Sequence, residues 1–201
     1  MQSITATPVS ASAEPNQSLR RIAIGERIHE AGAEGMAWRV ASGAVRLDRV
    51  GAGGRSFAGL ALRGDVIGAE SMVFGRYSFE ASAIGDCELE PWPPVGREVS
   101  GASLLQTLAA TERRAADALA LRVGEAFDRV RQLCLLLARD RADGRREVTI
   151  PGLKDMAEIT GLTVETVSRA MSQLRKSGML QRHGRRFGLI FAECKHVAAI
   201  Q

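Results

Sequence analysis

Residues 159–180, ITGLTVETVSRAMSQLRKSGML, carry the strongest local structural signals of the chain. Gly161 can adopt the left-handed conformation that ends a helix, and Thr163 is a residue type that caps the start of the next one. The second helix is predicted over 164–176, where apolar residues recur every three or four positions, and Gly178 ends it. Two short helices joined by such a turn predict a helix-turn-helix, whose second helix enters the major groove of DNA.

The residues on either side predict the rest of a small DNA-binding unit. Pro151 suits the first turn of a helix, because its missing N–H costs nothing there, and this helix is expected to run to Thr160. The inward residues of the two helices are expected to be Leu153, Met156, Ile159, Val167, Met171 and Leu174. Segments 179–182 and 186–190 flank the turn HGR and predict a β-hairpin, which completes a winged helix-turn-helix.

Three polar residues at the start of the second helix are candidates for contact with DNA bases. Arg169 can donate two hydrogen bonds to the O6 and N7 atoms of guanine, and Glu165 can accept one from a cytosine amino group. Ser168 lies beside them on the same face. Because Glu165 and Arg169 are four residues apart, the carboxylate is expected to hold the guanidinium in place. The alternative is an ordinary solvated ion pair, but the basic surroundings favour base contact.

Basic residues are concentrated near this helix. Residues 1–98 hold 10 Lys or Arg and 12 Asp or Glu, whereas residues 145–195 hold 10 basic and 5 acidic residues. A compact basic segment is typical of a protein that binds a polyanion, although charge alone is equally compatible with an ordinary basic surface. Contacts to DNA phosphates are expected from Lys154, Lys176, Arg182, His183, Arg185 and Arg186.

The front of the chain predicts β structure. Short extended runs alternate with glycine-containing turns, which is typical of an antiparallel β-roll; the runs are 36–40, 43–49, 56–62 and 79–84. PWPP at 91–94 is expected to close this region, because proline cannot continue a strand ladder.

The whole chain is therefore expected to be an α+β protein in four parts. These are a disordered leader (1–18), a β-roll sensor region (19–98), a long dimerisation helix (99–123) and a winged helix-turn-helix (124–201).

The long helix has one apolar face. Its members recur at spacings of three, seven, four and four; they are Leu105, Leu108, Ala115, Leu119 and Val123. We favour a contact between two copies of this helix, because the opposite face carries Glu112, Arg113, Arg114 and Asp117. The alternative is packing on the chain's own β-roll. A second helix is predicted over 126–139, with Cys134 buried in it as a small apolar group.

Residues 159–180 resemble the helix-turn-helix of the CRP/FNR transcription regulators, and the E-x-x-S-R pattern at 165–169 resembles the FNR and FixK branch. ASGAVRLDRV (41–50), LRGDVIGAES (62–71) and FEASAIGD (79–86) are similar, in order and spacing, to the effector domain of FixK-like members. The resemblance implies a homodimer that binds a TTGAT…ATCAA palindrome and activates transcription with RNA polymerase. It also implies base contacts by Glu165, Ser168 and Arg169, and phosphate contacts by Thr163, Thr166 and His183.

Departures from the family pattern concern the signal that such a protein senses. GRYSFEASAIG (75–85) lacks the Arg-Ser or Arg-Thr pair that holds a cyclic-nucleotide phosphate, and Glu80 would repel that phosphate. No cysteine precedes Cys87, so the N-terminal cysteines that hold an iron–sulfur cluster in FNR are missing. A lone histidine such as His29 is more typical of an exposed strand than of a haem site. We therefore predict no cofactor and no metal. The resemblance to FixK-like members implies activity without an effector.

Two further expectations concern location and partners. No run of about 18 apolar residues is present, and the N-terminus lacks the features of a secretory signal, so a cytoplasmic protein with no membrane contact is expected. The stretch SMVFGRYS (71–78) is a candidate contact for RNA polymerase, with an ordinary hairpin loop as the alternative.

The alternative function is a ligand-binding or enzymatic β-roll of the cupin type, joined to a non-specific basic nucleic-acid-binding domain. A metallo-cupin needs a His-x-His pair and a glutamate on neighbouring strands, but residues 36–90 contain no histidine. The sequence also lacks GxSxG, P-loop and HExxH motifs. We therefore predict that the protein is not an enzyme.

Overall fold

The structure is a computed structural model that describes residues 19–94, 99–140, 146–183 and 186–189. The leader expected at 1–18 and Arg185, a predicted phosphate contact, lie outside the described part. The strands of the front region are β1 Arg20–Ile22, β2 Arg27–His29, β3 Ala37–Ser42, β4 Ala44–Gly51, β5 Gly54–Leu62, β6 Val66–Ile67, β7 Glu80–Ala83 and β8 Cys87–Trp92. A short helix, α1, covers Ser71–Phe74, within the stretch expected to be a loop or contact surface.

The front region is the expected antiparallel β-roll. One four-stranded sheet has the order β1-β8-β3-β6, and the other has the order β2-β7-β4-β5. Apolar side chains from both sheets form the core between them, including Trp38, Val45 and Leu89. The fold class is α+β, as predicted.

Strand β4 is buried on both of its faces at its start. Val45 packs inside the roll, whereas Ala44 belongs to a second core that is shared with the C-terminal helices. Because side chains alternate along a strand, Arg46 and Asp48 point to the same outer side as Ala44. This side of the roll is therefore covered by the helix-turn-helix.

PWPP (91–94) closes the β region as predicted, although Pro91 itself still belongs to the strand. Strand β8 continues through Pro91 to Trp92, and Pro91 pairs with Trp38 of β3. The described part of β1 pairs only with residues 87–89 of β8, so no hydrogen bond from residue 91 to β1 is needed there.

Helix α2, Gly101–Ala120, is the long helix. The exposure of its side chains shows which face lies against the roll. The predicted apolar face points to solvent: Leu105, Leu108, Leu119 and Val123 are 56 to 69% exposed. Arg114, on the opposite charged face, lies against the roll. Its side chain is partly buried and donates from Nη1 to the carbonyl oxygen of Val66 at 2.8 Å. The apolar face therefore does not pack on the chain's own β-roll.

The described residues of the C-terminal region form three helices: α3 Ala126–Leu137, α4 Leu153–Thr160 and α5 Val164–Lys176. Four strands form its sheet, namely β9 Arg139–Asp140, β10 Arg146–Val148, β11 Leu180–His183 and β12 Arg186–Leu189. The order β11-β12-β10-β9 contains the predicted hairpin and two strands that the sequence analysis missed. Helix α3 ends two residues before the predicted end because residues 139 and 140 join this sheet.

Two expectations for this region were wrong in detail. Pro151 lies before helix α4 rather than in its first turn, since Gly152 occupies the capping position. Leu153 is 39% exposed, while Ala157 and Thr160 are buried with Met156 and Ile159. Cys134 is buried as predicted, and burial raises the pKa of its thiol to about 12. None of the helices in the described ranges is both long and apolar enough to cross a membrane.

Candidate nucleic-acid interface

The turn between α4 and α5 forms through local interactions. Gly161 follows α4 with φ of 67°, a backbone conformation that side chains with a Cβ atom rarely adopt. The Thr163 hydroxyl then accepts a hydrogen bond from the backbone N–H of Thr166 at 3.2 Å. Such a cap stabilises a helix by about 1 kcal/mol. Both features match the prediction, and they begin α5 at Val164.

Tertiary packing fixes which face of α5 is outward. Val167, Ala170, Met171 and Leu174 are buried against α3 and α4 in a common apolar core. Glu165 and Arg169 are exposed, and Ser168 is partly exposed. The three predicted base-contacting residues therefore share the outer face at the N-terminal end of the helix.

The predicted pairing of Glu165 with Arg169 was wrong. The Arg169 guanidinium donates instead to the Thr166 hydroxyl at 3.3 Å, and that oxygen lies 3.0 Å from the hydroxyl of Thr163. Thr166, three positions before Arg169, lies on the same face of the helix and takes the hydrogen bond. The Glu165 carboxylate is instead held by its own backbone N–H and the Thr163 hydroxyl. Thr163, Thr166 and Arg169 thus form one hydrogen-bonded series along the outer face.

Glu165 is held at the helix N-terminus. The pKa of its carboxyl group lies below the usual value because its own backbone N–H donates to it, with smaller contributions from the Thr163 hydroxyl and the charge of Arg169. The exposed amides of a first helical turn favour a negative charge in the same way. Glu165 is therefore ionised at neutral pH and can only accept hydrogen bonds.

The structure describes the side chains of only some of the predicted phosphate contacts. Lys154, Lys176 and Arg182 are exposed, on α4, α5 and β11 respectively. The backbone of His183 and Arg186 lies in the hairpin of β11 and β12, but their side chains are outside the described part, as is all of Arg185. The described lysines and Arg182 extend a positive surface from both ends of the helix-turn-helix.

The sequence analysis missed two residues on the same surface. Ser172 is exposed one turn after Ser168 and donates to that residue's carbonyl oxygen at 2.9 Å. Arg175 is exposed near the end of α5. The spacing of three or four residues from Ser168 and Arg169 was the available signal for Ser172.

A cavity of about 330 Å³ lies between the β-roll and α2. His29 lines it, 8% exposed and stacked on Tyr77 with ring centroids 3.8 Å apart, so the expectation of an exposed position was wrong. Within the described ranges neither imidazole nitrogen has a hydrogen-bond partner. Burial, helped by the charge of Arg20, lowers the pKa of His29 to about 4. No group of three or more His, Cys, Asp or Glu side chains suited to a metal ion is found among the described residues.

A β-roll, a long helix and a winged helix-turn-helix together define a DNA-binding architecture, and comparison with known proteins agrees with it. The model of the Crp-like helix-turn-helix domain matches residues 129–192. Over 155 residues the chain is 33% identical to the nitrogen fixation regulation protein FixK of Azorhizobium caulinodans. That match covers 70% of this chain and 62% of FixK, which is less than two thirds of the relative's length.

Solved structures give the same result over most of the chain. FixK2 from Bradyrhizobium japonicum is 28% identical with a TM-score of 0.64, over 87% of this chain and 92% of that one. A CRP-family transcriptional regulator from Thermus thermophilus has a TM-score of 0.65 at 23% identity, over 86% and 92% of the two chains, and shows a shared fold. These matches support a CRP/FNR regulator similar to FixK, and residues 129–192 match its Crp-like helix-turn-helix domain.

Proposed function

We propose that the protein is a sequence-specific DNA-binding regulator of transcription that acts as a homodimer on a TTGAT…ATCAA palindrome. The observation that carries the proposal is the outer face of α5, where Glu165 and Arg169 are exposed on a capped helix beside exposed lysines. Arg169 would donate to guanine and Glu165 would accept from cytosine. Thr163, Thr166 and the basic residues around α5 would contact phosphates and set affinity.

The proposed dimer contact is the apolar face of α2. Its leucines are exposed in the single chain although they are spaced as one continuous face, and Ala115 between them allows close approach of a second helix. A helix of 20 residues is about 30 Å long, which suffices for a two-helix contact. A dimer is also what a palindrome requires, because two recognition helices must reach half-sites about 34 Å apart.

The remaining parts of the proposal concern control. We infer no cofactor, no iron–sulfur cluster, no enzymatic activity and no cyclic-nucleotide requirement. The functional units of the proposal are the β-roll (19–98), the dimerisation helix (99–123) and the DNA-binding region (124–201). Glu80 argues against binding of a cyclic nucleotide. Its carboxylate is buried and accepts a hydrogen bond from Arg55 at 2.6 Å, so Arg55 is already paired and is not free to hold a phosphate. Activation would need RNA polymerase, and the exposed Met72, Val73 and Phe74 of α1 offer a surface for it. Action on promoter DNA would place the protein in the cytoplasm.

Fluorescence anisotropy with labelled DNA tests the proposal. Purified protein without added effector is titrated onto a TTGAT…ATCAA duplex and onto a scrambled duplex at near-physiological salt. We expect a preference of about a hundredfold or more for the palindrome. Equal affinity for the two duplexes contradicts sequence-specific binding without an effector.

A second candidate function, binding of a small ligand by the β-roll, is favoured by the cavity beside His29. The cavity is lined mainly by apolar groups together with His29, Glu70 and Arg114. Native mass spectrometry of protein purified from cell extract tests it: a bound small molecule that is lost in His29→Phe would support ligand binding. If the purified protein and the protein refolded after denaturation had the same mass, no small molecule would be bound, and ligand binding would be contradicted.

A further inference from the structure

One buried arginine connects the β-roll to the helix-turn-helix. Arg46 of β4 is 1% exposed. Its Nε donates to Asp48 of the same strand at 2.9 Å, its Nη1 to Asp155 at 3.1 Å and its Nη2 to Glu158 at 2.6 Å. Asp155 and Glu158 both lie on α4, more than 100 residues further along the chain. A single guanidinium thus joins the sheet to the first helix of the helix-turn-helix.

The arginine is fixed within the sheet by a second layer of charges. Asp48 is fully buried, and its Oδ2 lies 3.4 Å from the Nε of Arg55. Arg55 in turn donates to Glu80 at 2.6 Å. Burial alone would lower the pKa of Arg46, but hydrogen bonds and charge from Asp48 and Glu158 outweigh burial and raise it. Arg46 therefore stays charged and needs its carboxylates.

An apolar contact lies beside the ionic one. Leu121, just after α2, is fully buried in the core that includes Ala44 and Leu60 of the roll. Arg122 donates to the carbonyl oxygen of Glu158 at 2.8 Å and lies over the ring of Phe57, 5.4 Å from its centre. The segment between α2 and α3 is therefore attached to both α4 and the roll.

The orientation of α5 follows from that of α4. The two helices are separated only by residues 161–163 and share the core of Met156, Ile159 and Met171. Asp155 and Glu158 face the roll, whereas Glu165 and Arg169 on α5 remain exposed. Docking α4 on the roll thus leaves the proposed base-contacting face open.

We propose that Arg46 is a positioning residue for DNA recognition: by holding α4 on the β-roll through Asp155 and Glu158, it fixes the orientation of α5 relative to α2. In a dimer joined along α2, this contact sets the separation and angle of the two recognition helices. The protein is then selective for the distance between half-sites, and it needs no effector to order the DNA-binding region. This inference rests on the proposed function.

The test uses Asp155→Asn/Glu158→Gln in the full chain. Both carboxylates are partly exposed, so their neutral analogues leave Arg46 paired with Asp48 in the sheet. The matched control is Glu125→Gln/Asp128→Asn, which also removes two negative charges near the helix-turn-helix. Glu125 makes no capping hydrogen bond, and Asp128 pairs with Arg131 of its own helix.

The first measurement is hydrogen–deuterium exchange of the free protein. We expect faster exchange in peptides covering α4 and β5, the edge strand of the roll that lies beside α4, in the double variant, with no change in the control. Unchanged exchange at both elements would overturn the role of Arg46 as a restraint. This result does not depend on DNA, so it separates the contact from the proposed function.

The second measurement compares the palindrome with duplexes whose half-sites are moved by one base pair. The wild type and the control should discriminate against the altered spacing by about tenfold or more, and the double variant by less than about threefold, with affinity for a single half-site retained. The same discrimination in all three proteins would overturn the proposal. A wild type that binds neither duplex would refute the proposed function instead.

Discussion

The hydroxyl of Thr166 accepts a hydrogen bond from the guanidinium of Arg169 at 3.3 Å, so the threonine one turn earlier orients the arginine. Thr166→Val keeps the shape of the side chain and removes this acceptor. We expect discrimination at the guanine contacted by Arg169 to fall by about 0.5–1.5 kcal/mol, the usual net contribution of a hydrogen bond. Anisotropy titrations on the palindrome and on its single-base variants measure this, and Thr166→Ser should retain the wild-type preference. Equal weakening on every sequence would mean that Thr166 acts only through its proposed phosphate contact and does not orient Arg169.

Arg169→Ala removes the proposed guanine contact itself. The variant should lose about 1–3 kcal/mol of binding free energy on the palindrome and little on random DNA, because only the specific complex contains a bidentate pair. Titrations on both duplexes at several salt concentrations measure the difference. Lys176→Ala is the matched comparison: it should weaken both complexes alike and lower the salt slope by about one. If Arg169→Ala lost the same binding free energy on both duplexes, Arg169 would not be a base-contacting residue.

Leu108→Glu places a charge in the middle of the apolar face of α2. Leu108 is 56% exposed in the single chain, so the substitution should leave the subunit folded while separating the proposed dimer into monomers. Light scattering coupled to size-exclusion chromatography measures the mass. Gln106→Glu adds the same charge at an exposed position off this face and should remain dimeric. A dimeric Leu108→Glu protein would move the dimer contact away from α2.

His29 links stability to pH. Its pKa is about 4 in the folded protein, below the value of 6.5 expected when unfolded, so the unfolded state binds the proton more readily between these values. Stability should therefore fall as pH drops from 6.5 to 4, by about 3 kcal/mol from this residue. His29→Phe keeps a ring against Tyr77 and should lack this part of the loss. Urea unfolding from pH 7 to 4 measures it, and identical pH profiles for the two proteins would contradict the assignment.

The sequence by itself determined the helix-turn-helix, because its signals act over a few residues. Gly161 ends one helix, Thr163 caps the next, and the spacing of Val167, Met171 and Leu174 selects the buried face. The long helix and four strands of the roll, β3, β4, β5 and β7, follow equally from local periodicity and turns. Strand ends depend on which neighbour is present, and that is why β8 continues through Pro91 beside β3.

Only the tertiary structure decided which residues meet across the chain. Arg46 lies beside Asp155 and Glu158 because two regions dock, and no spacing in the sequence relates positions more than 100 residues apart. The burial of His29 against Tyr77 and the packing of Arg114 on the roll have the same origin. Local periodicity fixes the faces of each element, but the contacts between elements depend on burial of apolar surface and pairing of charge over the whole fold.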